Sequence, residues 1–386
     1  MRSRRDAEKR SLVNPPLAHD HKLAAGSTAS RIAPTSTVVP VAASVLGMLS
    51  AVTAGQGIDT LTSKLDELRA WIGSDLAEVE QQLLALLEDR TPAHQSAQHL
   101  VRLGGKRLRP LCVALAARVG GEFNAHAREL AVAVELVHSA TLLHDDVIDL
   151  GDRRRGAATA RCIYGNAASI YAGDLLLVDA LRRIQATRIS GLLEKSLSVL
   201  NEMLEAEALQ LANRGSVRGT VGDYFRVIEG KTASLFRWAL FAGGRAGGVP
   251  MAGCVELERY GNSLGLAFQI VDDVLDLTGD PKVVGKSLFA DLHEGKMTYP
   301  LLLAIERDAG LAEQIEAACS SGTIELDAEL EAHIGQVLWR SDIVPDCLKL
   351  AQRCADDAVQ ALSRLPASRA KTALEDVANT LVRRAK

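Results

Sequence analysis

The sequence predicts an all-α protein, a single large helical bundle built around a central cavity. Ala and Leu, both strong helix formers, dominate its apolar residues, and aromatic residues make up only 4% of the chain. From Leu61 onward apolar residues recur at three- and four-residue intervals with charges between them. Two segments, LAVAVELVHSATLLHDDVID from Leu130 and LERYGNSLGLAFQIVDDVLDL from Leu257, are nearly apolar all round except at one end. Helices of that kind belong in the middle of a bundle.

Along the chain, residues 1–56 read as a low-complexity extension and residues 57–386 as one α-helical domain. Residues 1–37 mix Arg, Ser, Pro and Thr without periodicity, the composition of a disordered segment. The uncharged stretch from Val38 to Ala54 is short for a membrane span and rich in weakly apolar Ala, Ser and Thr. Asp6 and Glu8 interrupt the basic run of Arg2, Arg4, Arg5 and Arg10, which argues against an organelle transit peptide and for a cytoplasmic protein. Beyond it, glycines at 104–105, 120–121, 215–222 and 243–248 punctuate segments of helix length, with few β-branched runs to suggest strands.

Composition excludes some functions. Net charge is −4 with both signs interspersed, so no broad basic face exists for nucleic acid. The cysteines Cys112, Cys162, Cys254, Cys319, Cys347 and Cys354 lie far apart without a C-x-x-C pair, which suits buried free thiols better than zinc or disulfides.

Chemistry concentrates in two acidic motifs, Asp145-Asp146-Val-Ile-Asp149 and Asp272-Asp273-Val-Leu-Asp276. In each, the first and last carboxylates stand one helical turn apart at the end of an apolar run. Such carboxylates repel one another and are costly to desolvate, so something positive must compensate. Hard oxygen ligands in this number suit Mg²⁺, which bridges carboxylates to substrate phosphates. Cations sit at matching places: Lys106 and Arg109 in GGKRLRP, Arg154 and Arg155 in DRRRG, Lys231 in GKT, then Lys286 and Lys296. Arg forks grip phosphate oxygens in bidentate fashion and Lys adds point charge. Two acidic faces and several cationic loops imply two phosphorylated substrates, or one with a diphosphate. Arg107 and Arg153 fit a solvated surface instead.

These residues resemble the trans-type prenyl diphosphate synthases, the polyprenyl synthetases, over roughly residues 60–386. The resemblance rests on GGKRLRP, LLHDDVID followed by DRRRG, GKT, FQIVDDVLD and GDPKVVGKSLFADLHEGKMTYP in that order. It implies that Asp145, Asp146, Asp149, Asp272 and Asp276 hold two to three Mg²⁺ ions. It implies isopentenyl diphosphate contacts at Lys106, Arg109, His138 and Arg155, and allylic diphosphate contacts (farnesyl or similar) at Arg154, Lys231, Thr232, Gln269 and Lys286. His138 lies seven residues before Asp145 and faces the same way, whereas His144 faces elsewhere. Asp145, Asp149, Asp272, Lys231 and Arg154 would carry the catalysis. A homodimer and a transient membrane association for release of an apolar product also follow from the resemblance.

Leu150 and Ser287-Leu288-Phe289 depart from the usual pattern and leave the loop after the second motif open. A terpene cyclase would not need Lys106, Arg109 and Arg155 and would carry more aromatics to stabilise cyclising cations. A regulatory subunit could lose its aspartates, and both clusters here are intact. Small residues at Ala140 and Thr141, with Leu136, Val137, Ala133 and Val132 deeper on the helix as an apolar wall, predict a long-chain product rather than a farnesyl or geranylgeranyl one.

Overall fold

A computed structural model describes residues 59–85, 91–279, 288–320 and 323–383. The low-complexity extension therefore lies outside the described residues, as does Lys286. The chain begins with α1 (Asp59–Ala85), α2 (Pro92–Arg102), α3 (Leu108–Gly120) and α4 (Ala125–Ile148). A hairpin of β1 (Arg153–Arg154) and β2 (Ala157–Ala158) leads to α5 (Ala160–Tyr164), α6 (Asn166–Ala186), α7 (Leu192–Ala212) and α8 (Val221–Ile228). A π-helical turn (Glu229–Ala233) passes into α9 (Ser234–Ala246), then α10 (Met251–Thr278) and α11 (Ala290–His293). The C-terminal part holds α12 (Tyr299–Arg307), α13 (Ala309–Ala318), the hairpin β3 (Cys319–Ser320) and β4 (Thr323–Ile324), α14 (Ala328–Arg340), α15 (Ile343–Ala361) and α16 (Arg369–Arg383). The fold is all-α, its strands confined to two short antiparallel hairpins among the described residues.

Local sequence explains the helix boundaries that position the site. Asn124 caps α4, its side chain accepting from the Ala127 amide at 3.0 Å, and α8 opens on a reciprocal capping box between Thr220 and Asp223. The turn of the first hairpin is Arg155-Gly156, both at positive φ (53° and 79°), as a two-residue turn matched to strand twist requires. Helices α4 and α10 occupy the middle of the bundle. α4 packs against α6 and α3, and α10 against α15 and α9. Their inner faces are sealed: Leu130, Leu136 and Leu143 on α4, and Leu264, Ile270 and Val271 on α10, are fully buried. A Cβ on Gly265 would stand 2.5 Å from Ala233 Cα, so the close seat of α10 on the π turn requires glycine there. No helix among the described residues is long and apolar enough to cross a membrane.

Candidate active site

Both aspartate motifs lie at the C-terminal ends of their helices, α4 and α10. A helix C-terminus already carries partial negative charge, so the motifs compound an unfavourable field that only cations can relieve. For the first motif the protein's own side chains supply them. Asp146, 3% exposed, takes Arg154 Nε at 2.9 Å and Nη2 at 2.8 Å on one oxygen. Its other oxygen is buried without a hydrogen-bond partner. Asp149 accepts Arg214 Nη2 at 2.6 Å and Lys296 Nζ at 2.8 Å. Burial alone would raise its pKa, but Lys296, with Lys231 and Arg214 behind it, holds the carboxyl below its ordinary value. Lys231 lies 3.5 Å from Asp145 and makes closer contacts to Glu207 (2.6 Å) and Gln210 (3.2 Å). Burial pushes the Glu207 carboxyl up against the pull of Lys231, and Asp145 adds to that push.

The second motif is divided. Asp272 is partly exposed. Asp273, 2% exposed, accepts from Tyr224 Oη at 2.7 Å and Gln269 Nε2 at 2.8 Å, while Gln269 Oε1 accepts from Thr232 Oγ1 at 2.8 Å. This chain of bonds joins α8, α10 and the GKT sequence of the π turn. A π turn inside a helix often marks a functional position. Burial, then the Asp291 charge, raises the Asp273 carboxyl well above the usual carboxylate range, with the Gln269 and Tyr224 bonds opposing. Asp276, expected to share a metal face with Asp272, is 5% exposed and accepts from the Asp291 amide at 3.2 Å, while its carbonyl accepts from Phe289 at 2.9 Å. Through Oδ2 it helps anchor the returning chain.

A second cationic group gathers around His138 on α4. Arg109 stacks over Phe236 at 4.7 Å, Lys106 lies 5.5 Å from the Phe268 centroid, and the Arg155 guanidinium presses on Gly105, where a Cβ would meet it at 2.9 Å. The Arg109 Nε is buried without a partner, a donor aimed at no protein acceptor. Burial and then the charges of Arg109, Arg155, Arg154 and Arg107 drive the His138 pKa well below its ordinary value, so the ring is neutral near pH 7. The four residues expected to contact isopentenyl diphosphate are therefore neighbours.

Arg107 departs from expectation. It lies not on the solvated surface but with its side chain only 9% exposed, donating to Glu80 at 2.7 Å and Glu135 at 2.6 Å. The reason is its backbone: φ of +52° reverses the loop, so Arg107 turns inward between Lys106 and α3. Arg153 is exposed as expected and bonds the Gly156 carbonyl at 2.8 Å. His144 points to α6, 3.2 Å from Ile170 O and 3.4 Å from Asp174.

The wall proposed from sequence along α4 also needs redrawing. At about 100° per residue, Thr141 lies about 40° from Asp145 and Val134 about 20°, whereas Ala140 lies about 140° away and Leu136, Ala133 and Val132 120° or more. Thr141 is partly exposed. Ala140, 2% exposed, shares its face with Leu143 and His144, which bond to Ser169 and Ile170 on α6. The row on the Asp145 side of the helix is Val134, His138 and Thr141, with Val137 about 80° away.

Between α7, α8, the π turn and α10 a cleft of about 760 Å³ opens to solvent, lined among others by Gln210, Lys231, Thr232, Gln269, Asp273 and Lys296. A smaller cavity of about 450 Å³ beside it is lined by Asp149, Glu207, Arg214, Gln210 and Lys296. Sequence reasoning missed Glu135, Glu207, Gln210, Arg214 and Tyr224. The signals were faint: Glu207 and Gln210 stand one turn apart on α7, and Tyr224 falls seven residues before Lys231.

The donor chemistry fits a hard divalent cation. Asp145, Asp146, Asp149, Asp272 and Glu207 offer oxygen alone, and the buried, unpartnered Asp146 oxygen needs a positive neighbour. No three such groups converge on one point among the described residues, because each carboxylate of the first motif leans on its own Lys or Arg.

Known proteins are similar to this chain in sequence and in fold. The sequence profile of the family "Polyprenyl synthetase" matches residues 91–334. The chain is 38% identical over 333 residues to the octaprenyl diphosphate synthase of Escherichia coli (strain K12), covering 83% of this chain and 98% of the relative. It is 33% identical over 316 residues to a geranyl-diphosphate-specific all-trans-nonaprenyl-diphosphate synthase of Rhodobacter capsulatus, covering 80% and 94%. Among solved structures, a polyprenyl synthase from Caulobacter crescentus, complexed with calcium and isoprenyl diphosphate, superposes with a TM-score of 0.77 at 36% identity, covering 83% of this chain and 97% of that one. Profile, relatives and fold agree, and the chain belongs to the polyprenyl synthetase family.

Proposed function

We propose that the chain is a divalent-metal-dependent, long-chain trans-polyprenyl diphosphate synthase that adds isopentenyl diphosphate repeatedly to an allylic diphosphate such as farnesyl diphosphate. The observation that carries this is the pair of cationic groups flanking the Asp145 cluster. Lys106, Arg109 and Arg155 with neutral His138 form one, and Arg154, Lys231 and Lys296 the other. Two diphosphates can thus be held with their reacting carbons between them.

Asp145, Asp146, Asp149 and Asp272 are the residues that would hold Mg²⁺. The bound metal would neutralise charge on the departing diphosphate. Arg154, Lys231 and Lys296 grip the allylic diphosphate oxygens and stabilise charge there as the carbon–oxygen bond breaks. The isopentenyl double bond then attacks the allylic carbon, and the departed diphosphate takes the proton whose loss restores an alkene. Gln269 and Thr232, locked to Asp273, fix the donors that orient the leaving group, and no protein nucleophile takes part. Arg109 and Arg155 hold the isopentenyl diphosphate while His138, kept neutral, adds no charge to that crowd.

A long product agrees with the octaprenyl and nonaprenyl activities of the relatives and with the absence of a bulky aromatic at Thr141 and Val134, on the Asp145 side of α4. A homodimer is supported by exposed leucines spaced by seven on α7, Leu197, Leu204 and Leu211, beside Tyr171, Leu175 and Val178 on α6. Such a seam suits a second copy of itself.

Labelled isopentenyl diphosphate with Mg²⁺ and farnesyl diphosphate should yield products well beyond geranylgeranyl when resolved by length. Asp145→Ala and Asp272→Ala should each lower turnover by several orders of magnitude with the helical signal intact. Full activity in excess chelator, or near-normal turnover of either variant, would defeat the metal assignment.

A further inference from the structure

Arg214 belongs to none of the motifs that announce this site, yet its guanidinium touches two of the elements that build it. Nη2 donates to Asp149 Oδ1 at 2.6 Å and Nε donates to the Glu294 carbonyl at 2.7 Å. The next residue continues the join, with the Gly215 amide donating to the Gly295 carbonyl at 2.8 Å. One edge of the guanidinium therefore spans from the end of α4 to the loop that carries Lys296. Lys296 itself closes on the other oxygen of Asp149 at 2.8 Å. The groups are largely shielded, with side-chain exposures of 18% for Arg214, 17% for Asp149 and 15% for Lys296.

We propose that Arg214 is a positioning residue with two roles at this site: it occupies Asp149 Oδ1 as a resident cation that an incoming divalent ion must displace, and it tethers the 294–296 loop so that Lys296 stays at the diphosphate end of the cleft. Two roles follow from two bonds on one rigid fork. The Asp149 bond is electrostatic, so any cation of sufficient charge can replace it. The Glu294 bond is to a backbone carbonyl, with which a metal at Asp149 has no quarrel, so the tether persists when the site is loaded. Lysine could keep the charge near Asp149 but cannot present two donors along one edge. The inference rests on the reading of Asp149 as a metal ligand.

The test uses the full chain as wild type, Arg214→Gln, Arg214→Lys and Asp149→Asn. Mg²⁺ alone is titrated by calorimetry without substrate, and thermal melts are recorded in metal-free buffer. Arg214→Gln should bind Mg²⁺ about three- to tenfold more tightly, the range between exposed and shielded charged bonds. It should melt a few degrees lower without metal, because Asp149 and the loop each lose a partner. Arg214→Lys should keep near-wild-type Mg²⁺ affinity but share the lowered melting point, and both variants should raise KM for the allylic substrate more than they lower kcat. Unchanged or weaker Mg²⁺ binding by Arg214→Gln, while Asp149→Asn binds Mg²⁺ poorly, would overturn the proposal and leave the metal reading standing. Wild-type Mg²⁺ binding by Asp149→Asn would instead overturn the metal reading and, with it, the displacement role. An Arg214→Lys melting point equal to wild type would overturn the tether.

Discussion

The length of the product should depend on Thr141 more cleanly than on its neighbour Ala140. Thr141 stands four residues before Asp145, about 6 Å back along the axis and about 40° round it, so a bulky side chain there projects into the path a growing tail takes from the metal end of α4. Its hydroxyl donates to the His138 carbonyl of its own helix at 2.8 Å, so replacing it forfeits about 0.5–1.5 kcal/mol at most. Ala140 is buried on the α6 face, where His144 already fills the space a Cβ on Gly173 would enter. A phenylalanine at 140 therefore overpacks, at a cost of about 1–3 kcal/mol. Thr141→Phe should shift products to the farnesyl or geranylgeranyl range while urea denaturation stays close to wild type. Ala140→Phe should be the less stable of the two, whatever its products. Product analysis by mass spectrometry, with denaturation curves for both variants, decides the matter. A wild type that already stops at those short lengths, an unchanged distribution in Thr141→Phe, or an Ala140→Phe as stable as Thr141→Phe would each refute the reasoning.

Three further outcomes are expected. Arg107→Met leaves Glu135, whose side chain is 4% exposed, without its partner and should lower stability by about 3–5 kcal/mol in urea; a loss under about 1 kcal/mol would show the pair to be dispensable. His138 titrates lower in the native state than unfolded, so the unfolded chain gains the proton first as pH falls; stability is whole above the unfolded pKa of about 6.5 and declines below it. His138→Gln should flatten that decline, and an unaltered slope would assign it to other groups. A chain starting near Gly57 should remain soluble and active in vitro, because the composition before it cannot support a packed core; loss of folding would place the Val38–Ala54 stretch on the domain.

Much of this site is legible in the sequence because its chemistry violates the local pattern. Carboxylates at the end of LAVAVELVHSATLLHDDVID make no sense on a bundle-core helix unless something positive meets them, and GKT, DRRRG and GGKRLRP supply candidates. Period alone also set His138 on the Asp145 face. What could not be read depends on backbone reversals and long-range closure. Arg107 sits between Lys106 and Arg109 in sequence, and only a positive φ tells that it turns to Glu135. Asp276 has the spacing of a ligand, but the returning chain brings the Asp291 amide onto it. Arg214 and Lys296 meet at Asp149 from distant points of the chain, a closure no motif encodes.

The same facts explain why a cluster so hostile to folding can be kept in a stable bundle. Asp145, Asp146 and Asp149 end a buried helix whose C-terminal dipole has the wrong sign for them. The chain answers with Lys231, Arg154, Arg214 and Lys296, each on a carboxylate of the first motif. Those pairs are partly shielded, and Lys231, Arg214 and Lys296 line the cleft or the cavity beside it. A site balanced by internal cations compensates the charge of its own carboxylates. It can then exchange cation for cation, and carboxylate for phosphate, without exposing an unpaired buried charge. Arg107 is the counterexample that defines the rule: it pairs with Glu80 and Glu135, on neither aspartate motif, from a backbone at φ of +52°.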